Sequence, residues 1–418
     1  MFVSLALALA AAAEPAVHQE PAPGGGTLLV VEDHRVPLVW ITLAFPVGTR
    51  NDFWYHEDLD WFWDFALRAP DDSPAVAVSP FAALDVSGVH VTTHRADLPE
   101  TLASVRELLA NDLGKHAIKG YRGYMSRSWR QRARSPSFLL EQALARAFYR
   151  ESDPRRLPYE APRFKVKHTD NLVRARSRLF ATGGWVLALA GDVTASDARD
   201  FAEGIIPDAS IFPPGSRPVP EVAPLPLSKG AAPVVVACAG TTEVLHALSR
   251  PGLAASDPAA HLAIIADHVV VRTLESLLRK GRGDSYVVST DGLLAAYPDV
   301  YSLRSTVSPA GAVAHGEAIR EALARFAAEG ISATQLEQAK KRLHLGTLRD
   351  TESPSDRAWS LIAGRFRHLG ADDLESRLSG ADLGDVNAFI QRFYDPASFV
   401  RVAVGPPDWV KSTATSSR

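Results

Sequence analysis

The chain has 418 residues, of which 46% are hydrophobic and 22% are charged, and its formal net charge is −3. At roughly 100 to 200 residues per domain this length predicts two or three domains, and the apolar content excludes a mainly disordered chain. The near-neutral charge removes any general electrostatic attraction to nucleic acid. The single cysteine, Cys238, excludes an intramolecular disulfide framework and any metal site built from several cysteines.

The first residues form an apolar run, MFVSLALALAAAAEPA, that contains Ala11-Ala12-Ala13. A short apolar run followed by small residues is typical of a secretory signal peptide, and this run is too short to span a bilayer. No Lys or Arg precedes it, which a mis-assigned start codon would explain; the alternative is an ordinary apolar tail. We predict a signal peptide over residues 1–13 and a periplasmic or secreted bacterial protein without a transmembrane segment.

Apolar strands and long helical patterns follow one another along the rest of the chain. The predicted strands are 27–31, 38–45, 86–93, 185–192, 234–238, 286–289, 301–306 and 399–406. The predicted helices lie near 59–68, 98–113, 118–132, 171–181, 258–280, 313–328, 333–345 and 385–394. Because several strands are too close together for strict βαβ alternation, we predict an α+β fold of α/β sandwiches with mostly antiparallel sheets covered by helices.

A proline-rich stretch divides the chain into halves that resemble each other. Eight prolines lie between Pro207 and Pro233, which predicts an extended linker over 207–233. The strand-ending glycines Gly191 and Gly405 are 214 positions apart, and the helical pairs Arg106-Glu107 and Arg320-Glu321 share that offset. A shared offset indicates a tandem duplication, with homologous domains at 25–206 and 234–410.

These segments together resemble the pitrilysin/insulinase-like metallopeptidases. The segments that carry the resemblance are GGTLLVVEDHRVPLVWITLAFPVGTRND, LVRARSRLFATGGWVLALAGDVT, LESLLRKGRGDSYVVST and ISATQLEQAKKRL. Their order and spacing are similar to the family's over nearly everything after residue 25. The resemblance implies two homologous domains that form half of a clamshell around a chamber.

Active members of this family carry H-x-x-E-H on a helix, where two histidines bind zinc and the glutamate activates water. The matching helix here is DLDWFWDFALRAP, and the five positions fall on residues 61–65. Trp61 and Phe65 replace the two histidines, and Asp64 replaces the glutamate. Since indole and phenyl rings cannot coordinate zinc, the motif is degenerate, and the two rings are predicted to fill the pocket that the metal would occupy.

The family's third metal ligand, a glutamate further along the chain, is also missing. Alignment by the Ser135-Pro136 turn places this position near Ser128, and no acidic residue occurs between Asp112 and Glu141. That stretch instead holds seven basic residues, namely Lys115, Lys119, Arg122, Arg127, Arg130, Arg132 and Arg134. They indicate either a solvated helix face or a cationic wall facing an acidic segment.

A second histidine pattern leaves one alternative open. His56, Glu57 and Asp60 have the spacing of H-E-x-x-H with aspartate as the last ligand. His90 and His94 lie on one side of a predicted strand and would in principle complete such a site, although exposed histidines on a sheet face are the simpler interpretation.

The second half retains the pair that the family uses to bind substrate. Arg279 and Tyr286, in LLRKGRGDSYVVST, match an arginine and a tyrosine that bind the substrate backbone and stabilise the oxyanion. An arginine at a helix end and a tyrosine opening a strand are also common structural placements. The resemblance implies that both side chains act at the zinc site of a second subunit.

The expected function is that of a non-catalytic subunit of a heterodimeric zinc peptidase. The resemblance implies no catalytic residue and no metal cofactor in this chain, with zinc held by a homologous active partner and with peptides or unfolded polypeptides as substrates. One alternative is a catalytically dead peptide-binding or scaffold protein without an active partner. The other is an independent hydrolase that uses His56, Glu57 and Asp60.

Overall fold

The computed structural model describes residues 16–22, 25–48, 77–83, 85–110, 126–151, 153–160, 183–203, 225, 233–281, 285–295, 298–350, 352–366 and 371–416. The chain in these ranges forms two large mixed sheets, one in each half of the sequence. None of the described helices is both long and apolar enough to cross a membrane.

The first sheet has six strands, in the order β1-β2-β6-β3-β5-β4. Its central strands are almost wholly apolar, as strands covered on both faces must be. β2 and β6 are parallel, and the other neighbours are antiparallel. The strands are Ala16–Ala22 (β1), Gly26–Glu32 (β2), Leu38–Phe45 (β3), Ala77–Ala82 (β4), Ser87–His94 (β5) and Val186–Gly191 (β6).

The second sheet has five strands, in the order β10-β12-β8-β13-β7, and a two-stranded ribbon joins β9 and β11. The strands are Val234–Ala237 (β7), Val244–Pro251 (β8), Leu253–Ala254 (β9), Ser285–Asp291 (β10), Leu294–Ala295 (β11), Val300–Val307 (β12) and Val400–Gly405 (β13). In the reverse direction the second sheet reads β7-β13-β8-β12-β10, and these strands correspond in turn to β2-β6-β3-β5-β4 of the first sheet. The parallel pair β7–β13 corresponds to the parallel pair β2–β6. The α+β class and the repeated architecture expected from the sequence are therefore confirmed.

Helices cover both faces of each sheet. On the first sheet, two helices bury Leu102, Val105 and Ala198 against strand residues such as Ile41 and Leu187. On the second, four helices contribute buried residues to the cluster around Tyr301 and Leu303. The helices are Leu98–Ala110 (α1), Pro136–Phe148 (α2), Ala195–Ala202 (α3), Ala260–Glu275 (α4), Ala312–Glu329 (α5), Ala333–Asp350 (α6), Pro354–Phe366 (α7), Ala371–Ser379 (α8), Leu383–Phe393 (α9) and Pro407–Ser416 (α10).

The two halves exchange one helix each. Helix α2 belongs to the first half by sequence, yet Leu140 and Leu144 pack against Val402 in the second sheet. Helix α7 comes from the second half and buries Ala358 and Ile362 against β2 and β6 of the first sheet. Each sheet is thus closed on one face by the other half's helix, so that neither core is complete without both halves.

Buried polar contacts reinforce the position of α2 on the second sheet. Arg304 of β12 forms an ion pair with Glu141 of α2 at 2.5 Å. Just beyond α2, the Tyr149 hydroxyl donates a hydrogen bond to the Asp299 carboxylate, and the Arg155 guanidinium donates to the Pro298 carbonyl at 2.9 Å. Burial raises the pKa of Tyr149 well above its ordinary value, so the phenol stays a proton donor.

Replacing Tyr149 by phenylalanine is expected to lower the free energy of unfolding by about 2 kcal/mol, because a largely buried carboxylate loses a donor. Urea denaturation followed by circular dichroism measures this change. Arg150→Ala, at the exposed next position, is the control and is expected to stay within about 0.5 kcal/mol of the wild type. Equal stability of Tyr149→Phe and wild type would show that this hydrogen bond does not help to hold α2.

The structure confirms the strands predicted from apolar runs and corrects some boundaries. The helix expected over 258–280 is α-helical only to Glu275, where a π-helical turn over Ser276–Gly281 follows. Elements without a strong periodic signal were missed: β1, β4, α2, α3, α7, α8 and α10. The helices predicted near 59–68 and 171–181, and most of the linker over 207–233, lie outside the described residues, and the domain boundaries at 25–206 and 234–410 stay predictions.

The glycine that ends β6 is required by its surroundings. Gly191 has a φ of 117°, and a Cβ atom there would lie 2.1 Å from the carbonyl oxygen of Leu38. Only glycine adopts this backbone without strain and permits so close an approach. Gly405, at the equivalent end of β13, is crowded by Trp409 instead, with 2.7 Å between its virtual Cβ and the indole ring.

Candidate functional site

Of the four residues predicted to mark a degenerate metal site, only Ser128 lies within the described structure. Trp61, Asp64 and Phe65 lie outside the described residues, as do His56, Glu57 and Asp60. Ser128, at the third position, lies in a helical segment over 126–132 and is partly buried. The structure therefore places one of the four degenerate positions on a helix and does not test the other three.

The edge strand β4 of the first sheet has one free side in the described structure. Within the part of the chain that the structure describes, β4 pairs with β5 alone, so its other side has no strand partner. A strand with one free side presents N–H and C=O groups that an extended peptide can pair with. Pro80 in the middle of β4 lacks an N–H group, and proline in a sheet is tolerated at such an edge.

An aromatic cluster lies beside this edge and joins the two halves. The rings of Phe81 on β4 and His90 on β5 are stacked with 4.4 Å between their centroids. Trp359 of the exchanged helix α7 stands edge-on to both rings, at 5.2 Å from each. We name these three residues the edge cluster. It fixes α7, a second-half element, directly over the edge strand of the first sheet.

His90 corrects an expectation from the sequence. It was expected to be an exposed sheet-face histidine, but it is partly buried in the edge cluster and hydrogen-bonded through Nδ1 to Thr42 Oγ1 at 2.9 Å. Burial lowers the pKa of His90, so that the neutral imidazole predominates at neutral pH. His94 is exposed, and its Nδ1 accepts a hydrogen bond from the Ala96 backbone N–H at 3.2 Å. The two histidines have separate structural partners.

The described part of the basic stretch is divided between solvent and core. Arg127 and Arg130 are exposed, and the Arg130 guanidinium donates a hydrogen bond to the Ser126 carbonyl at 2.9 Å. Arg132 is different, because its guanidinium lies 5.4 Å from the centre of the Phe138 ring and burial lowers its pKa. The stretch is therefore more than a solvated face, since one of its cations is packed against the start of α2.

Arg279 and Tyr286 occupy an unusual backbone region of the second half. Arg279 lies in the π-helical turn after α4, and Tyr286 is the second residue of β10. The pairing of β10 with β12 shifts register between Ser285 and Val288, so the strand is irregular at Tyr286. π-turns and bulges both occur frequently at functional sites. In the repeated topology β10 is the counterpart of β4, which places Tyr286 on the edge strand of its sheet.

The donor set at the family's metal positions does not fit zinc. Two of the positions are aromatic in the sequence, and the third is Ser128, which lies close to the exposed cations Arg127 and Arg130. Zinc in peptidases takes nitrogen and carboxylate oxygen ligands, and nearby positive charge opposes a dication. Among the residues that the structure describes, no group of three or more His, Cys, Asp or Glu side chains is arranged to hold a metal ion.

Two residues of the edge cluster escaped the sequence analysis. Phe81 lies in a short strand interrupted by proline, and Trp359 lies in a helix that carries no strong apolar stripe. One signal was present: Ser-Pro-Ser occurs at 135–137 and again at 353–355, and each copy starts one of the exchanged helices. Proline is favoured in the first turn of a helix, so the repeated Ser-Pro-Ser could have indicated where α2 and α7 begin.

Two sheets of the same strand order, each closed by a helix from the other half, form a fold that solved structures of M16-type peptidases share. This confirms, at the level of the fold, the resemblance to pitrilysin/insulinase-like proteins. No protein-family model matches the sequence, and no curated protein matches it. The similarity is therefore one of three-dimensional fold.

Solved structures with this fold match nearly the whole chain. The peptidase M16 inactive domain from Pseudomonas fluorescens superposes with a TM-score of 0.79 at 17% identity, covering 93% of this chain and 98% of that one. A protease from Helicobacter pylori has a TM-score of 0.79 at 14% identity, covering 94% of this chain and all of that one (100%). The described fold thus matches these two solved chains over nearly their whole length.

A third structure shows a longer arrangement. The periplasmic protease PqqL from Escherichia coli matches with a TM-score of 0.70 at 12% identity, covering 94% of this chain but only 46% of that protein. The first half of PqqL alone is covered to 93% with a TM-score of 0.71. In PqqL, therefore, a unit with the fold of this chain makes up about half of a larger protease.

Proposed function

We propose that the chain is the non-catalytic subunit of a heterodimeric M16-type zinc peptidase in the bacterial periplasm. It would bind peptide substrates and complete the active site of a homologous partner that carries H-x-x-E-H and zinc. One combination carries the proposal: the fold is that of the M16 peptidases, whereas aromatic residues and a serine stand at the metal positions. PqqL, a periplasmic protease with this fold in half of its length, supports both the location and the pairing of two such units.

In the proposed complex this chain performs binding and orientation rather than bond cleavage. The free side of β4 would pair with an extended peptide through backbone hydrogen bonds, and the edge cluster would lie beside the peptide as apolar surface. Pro80 removes one backbone donor from β4, so pairing would be discontinuous there. Such a peptide is held in extended form and kept from folding while the partner cleaves it.

Arg279 and Tyr286 would supply hydrogen-bond donors to the partner's reaction centre. A guanidinium and a phenol both donate to developing negative charge on a peptide carbonyl oxygen. Arg279 lies on the π-helical turn after α4 and Tyr286 on an edge strand, which is the backbone placement that the proposal uses. No proton transfer is assigned to either residue, since their proposed role is to stabilise charge and fix the substrate.

Reconstitution with a homologue that carries H-x-x-E-H, sought in the adjacent gene, tests the function. Each protein is purified alone and the two are mixed, and cleavage of fluorogenic peptides is measured. The mixture is expected to be active and this chain alone inactive. Arg279→Ala or Tyr286→Phe in this chain is expected to lower kcat of the mixture about 100-fold, the usual effect of removing one oxyanion donor. Arg320→Ala, at an exposed position on α5, is the control and should leave kcat unchanged.

Three results would contradict the proposal. Equal activity of the partner alone and of the mixture would show that this chain contributes nothing to the site. Stoichiometric zinc in the isolated chain, lost on His56→Ala, would instead support the independent hydrolase. If the adjacent gene encodes a homologue that lacks H-x-x-E-H, the catalytically dead scaffold becomes the better account.

A further inference from the structure

A groove of about 700 Å³ lies between α4, α5 and α6, on the side of the second sheet opposite α2. We name it the three-helix groove. Its floor is apolar and includes Val269 of α4, Phe326 of α5 and Ala339 of α6, all of which are buried. A groove of this volume is large enough for several residues of a peptide. Its floor would bury an apolar side chain.

Arginines from three different helices surround this floor. Arg272 of α4, Arg325 of α5 and Arg342 of α6 all line the groove, and Glu329 is the single carboxylate among its described lining residues. Three guanidiniums and one carboxylate give the lining a net charge of +2. The groove is thus cationic, although the whole chain carries a net charge of −3.

Two of these guanidiniums have no counter-ion in the described structure. Arg272 has Glu275 at 4.0 Å, a distant pair with half-exposed side chains. For Arg325 and Arg342 the described residues provide no carboxylate within ion-pair distance and no hydrogen-bond acceptor. Arginine is the residue best suited to pair with a carboxylate through two parallel hydrogen bonds. Both guanidiniums are therefore available to an external anion.

The pKa of His268 is affected by the positive charges of the groove. Its side chain lines the groove, and its Nε2 atom is buried without a hydrogen-bond partner among the described residues. The pKa of His268 is lowered, first by burial and then by the charges of Arg272 and Arg342. A carboxylate bound between these arginines would oppose their positive charge, so ligand binding would raise the pKa of His268.

The wall of the groove also contains the start of the π-helical turn. Ser276 and Leu277, its first two residues, line the groove, and Arg279 follows in the same turn. π-Turns are rare and are frequently found at functional sites. An occupant of the groove would therefore touch the turn whose later residue is assigned to substrate binding.

We propose that the three-helix groove docks an acidic polypeptide segment that carries an apolar side chain. The apolar side chain covers Val269, Phe326 and Ala339, and flanking carboxylates pair with Arg325 and Arg342. A compact phosphate is a poorer match, because it would leave the apolar floor of the groove uncovered. This docking site goes beyond the proposed function, since it needs neither the partner's zinc nor the β4 edge.

Fluorescence anisotropy on the isolated full chain tests the proposal. The probe is a labelled peptide, Glu-Leu-Glu-Glu-Leu-Glu, and its comparison is Gln-Leu-Gln-Gln-Leu-Gln. The acidic peptide is expected to bind, and the Arg325→Glu/Arg342→Glu variant is expected to bind it at least about 10-fold more weakly, the equivalent of about 1.4 kcal/mol. Binding should also weaken as salt rises.

A matched double variant controls for net charge. Lys341→Glu/Lys411→Glu changes the charge by the same amount at two exposed lysines that do not line the groove, and it should bind the peptide as the wild type does to within about twofold. Circular dichroism and thermal melting confirm that both variants are folded. A third readout follows His268 by NMR, with its signal assigned through His268→Gln, and the pKa of His268 is expected to rise when the peptide is saturating.

Three outcomes would overturn the proposal. Equal binding of the glutamine peptide would show that charge plays no part. An equal loss in the lysine control would show that only the net charge acts. Tripolyphosphate that binds with the same dependence on Arg325 and Arg342, while the acidic peptide does not, would assign the groove to phosphate. Because these measurements use the chain alone, failure of the heterodimer assay leaves them unaffected.

Discussion

Replacing Ile362 by alanine is expected to lower the free energy of unfolding by about 3 kcal/mol, within the usual range for truncating a buried aliphatic side chain. Ile362 lies in α7 of the second half but is fully buried against strands of the first sheet. The cavity would open beneath β2 and β6, more than 150 residues away in sequence from the mutated position. The substitution should therefore destabilise the first half of the chain, although the mutated residue belongs to the second.

Urea denaturation measures the total effect, and hydrogen exchange locates it. Amide protection is expected to fall in β2 and β6 as well as in α7. Leu348→Ala is the matched control, because Leu348 is 54% exposed on α6, and it should change stability by less than about 0.5 kcal/mol. Protection lost only around α7, with β2 and β6 unchanged, would mean that this helix is not part of the first core.

Acidification is expected to remove about 3 kcal/mol of stability through His246 alone. This side chain lies on β8 beneath the α5 helix, where burial, the neighbouring His315 and Arg401 lower its pKa from 6.5 to about 4. The ring centroids of His246 and His315 are 5.6 Å apart, and the indole of Trp409 stands 6.3 Å away. Arg401 is itself paired with Glu317 at 3.1 Å.

The direction of the effect follows from proton linkage. The folded state holds His246 neutral, whereas the unfolded chain takes up a proton at its ordinary pKa, so the unfolded state binds more protons below pH 6.5. The stabilisation is therefore complete above pH 6.5 and is lost as the pH falls from 6.5 to about 4. Each unit of difference in pKa corresponds to about 1.4 kcal/mol, which gives the expected total.

The measurement compares stability at pH 7.5 and pH 4.5 for wild type and for His246→Gln. The variant is expected to lose less stability on acidification, because the group that takes up the extra proton is gone. His18→Gln, at an exposed position on β1, is the matched control and should keep the wild-type slope. If His246→Gln and wild type have the same pH dependence, His246 is not the group responsible.

The central strands were predicted well from the sequence because buried strands consist almost entirely of apolar residues. TLLVV, LVWITLAF and WVLALAG are apolar at nearly every position, as central strands covered on both faces must be. The shared offset between Gly191 and Gly405 correctly indicated the repeat, because both glycines end equivalent strands. The edge strands β1 and β4 were missed, since AVHQEPA and AVSPFA contain prolines and polar residues that are tolerated only at an edge.

The exchanged helices could not be derived from local pattern. Neither α2 nor α7 has a strong periodic signal, and periodicity does not say which sheet a helix packs against. The same limit applies to the edge cluster, whose Trp359 reaches the first sheet only because α7 crosses over. His90 was placed on the correct face of its strand, yet its burial depends on that distant tryptophan.

The helix exchange also decides what happens when the chain is cut. The chain passes from the first sheet to the second at α2 and returns to the first sheet at β6. It crosses to the first sheet again at α7 and then back to the second. The proline-rich stretch is therefore only one of several connections between the two sheets. A protease that nicks residues 207–232 should therefore leave two fragments that stay associated through buried surface and migrate together on gel filtration. Separated by denaturant, each fragment would expose the bare face of its sheet and carry a helix suited to another copy, which is the starting point for domain swapping.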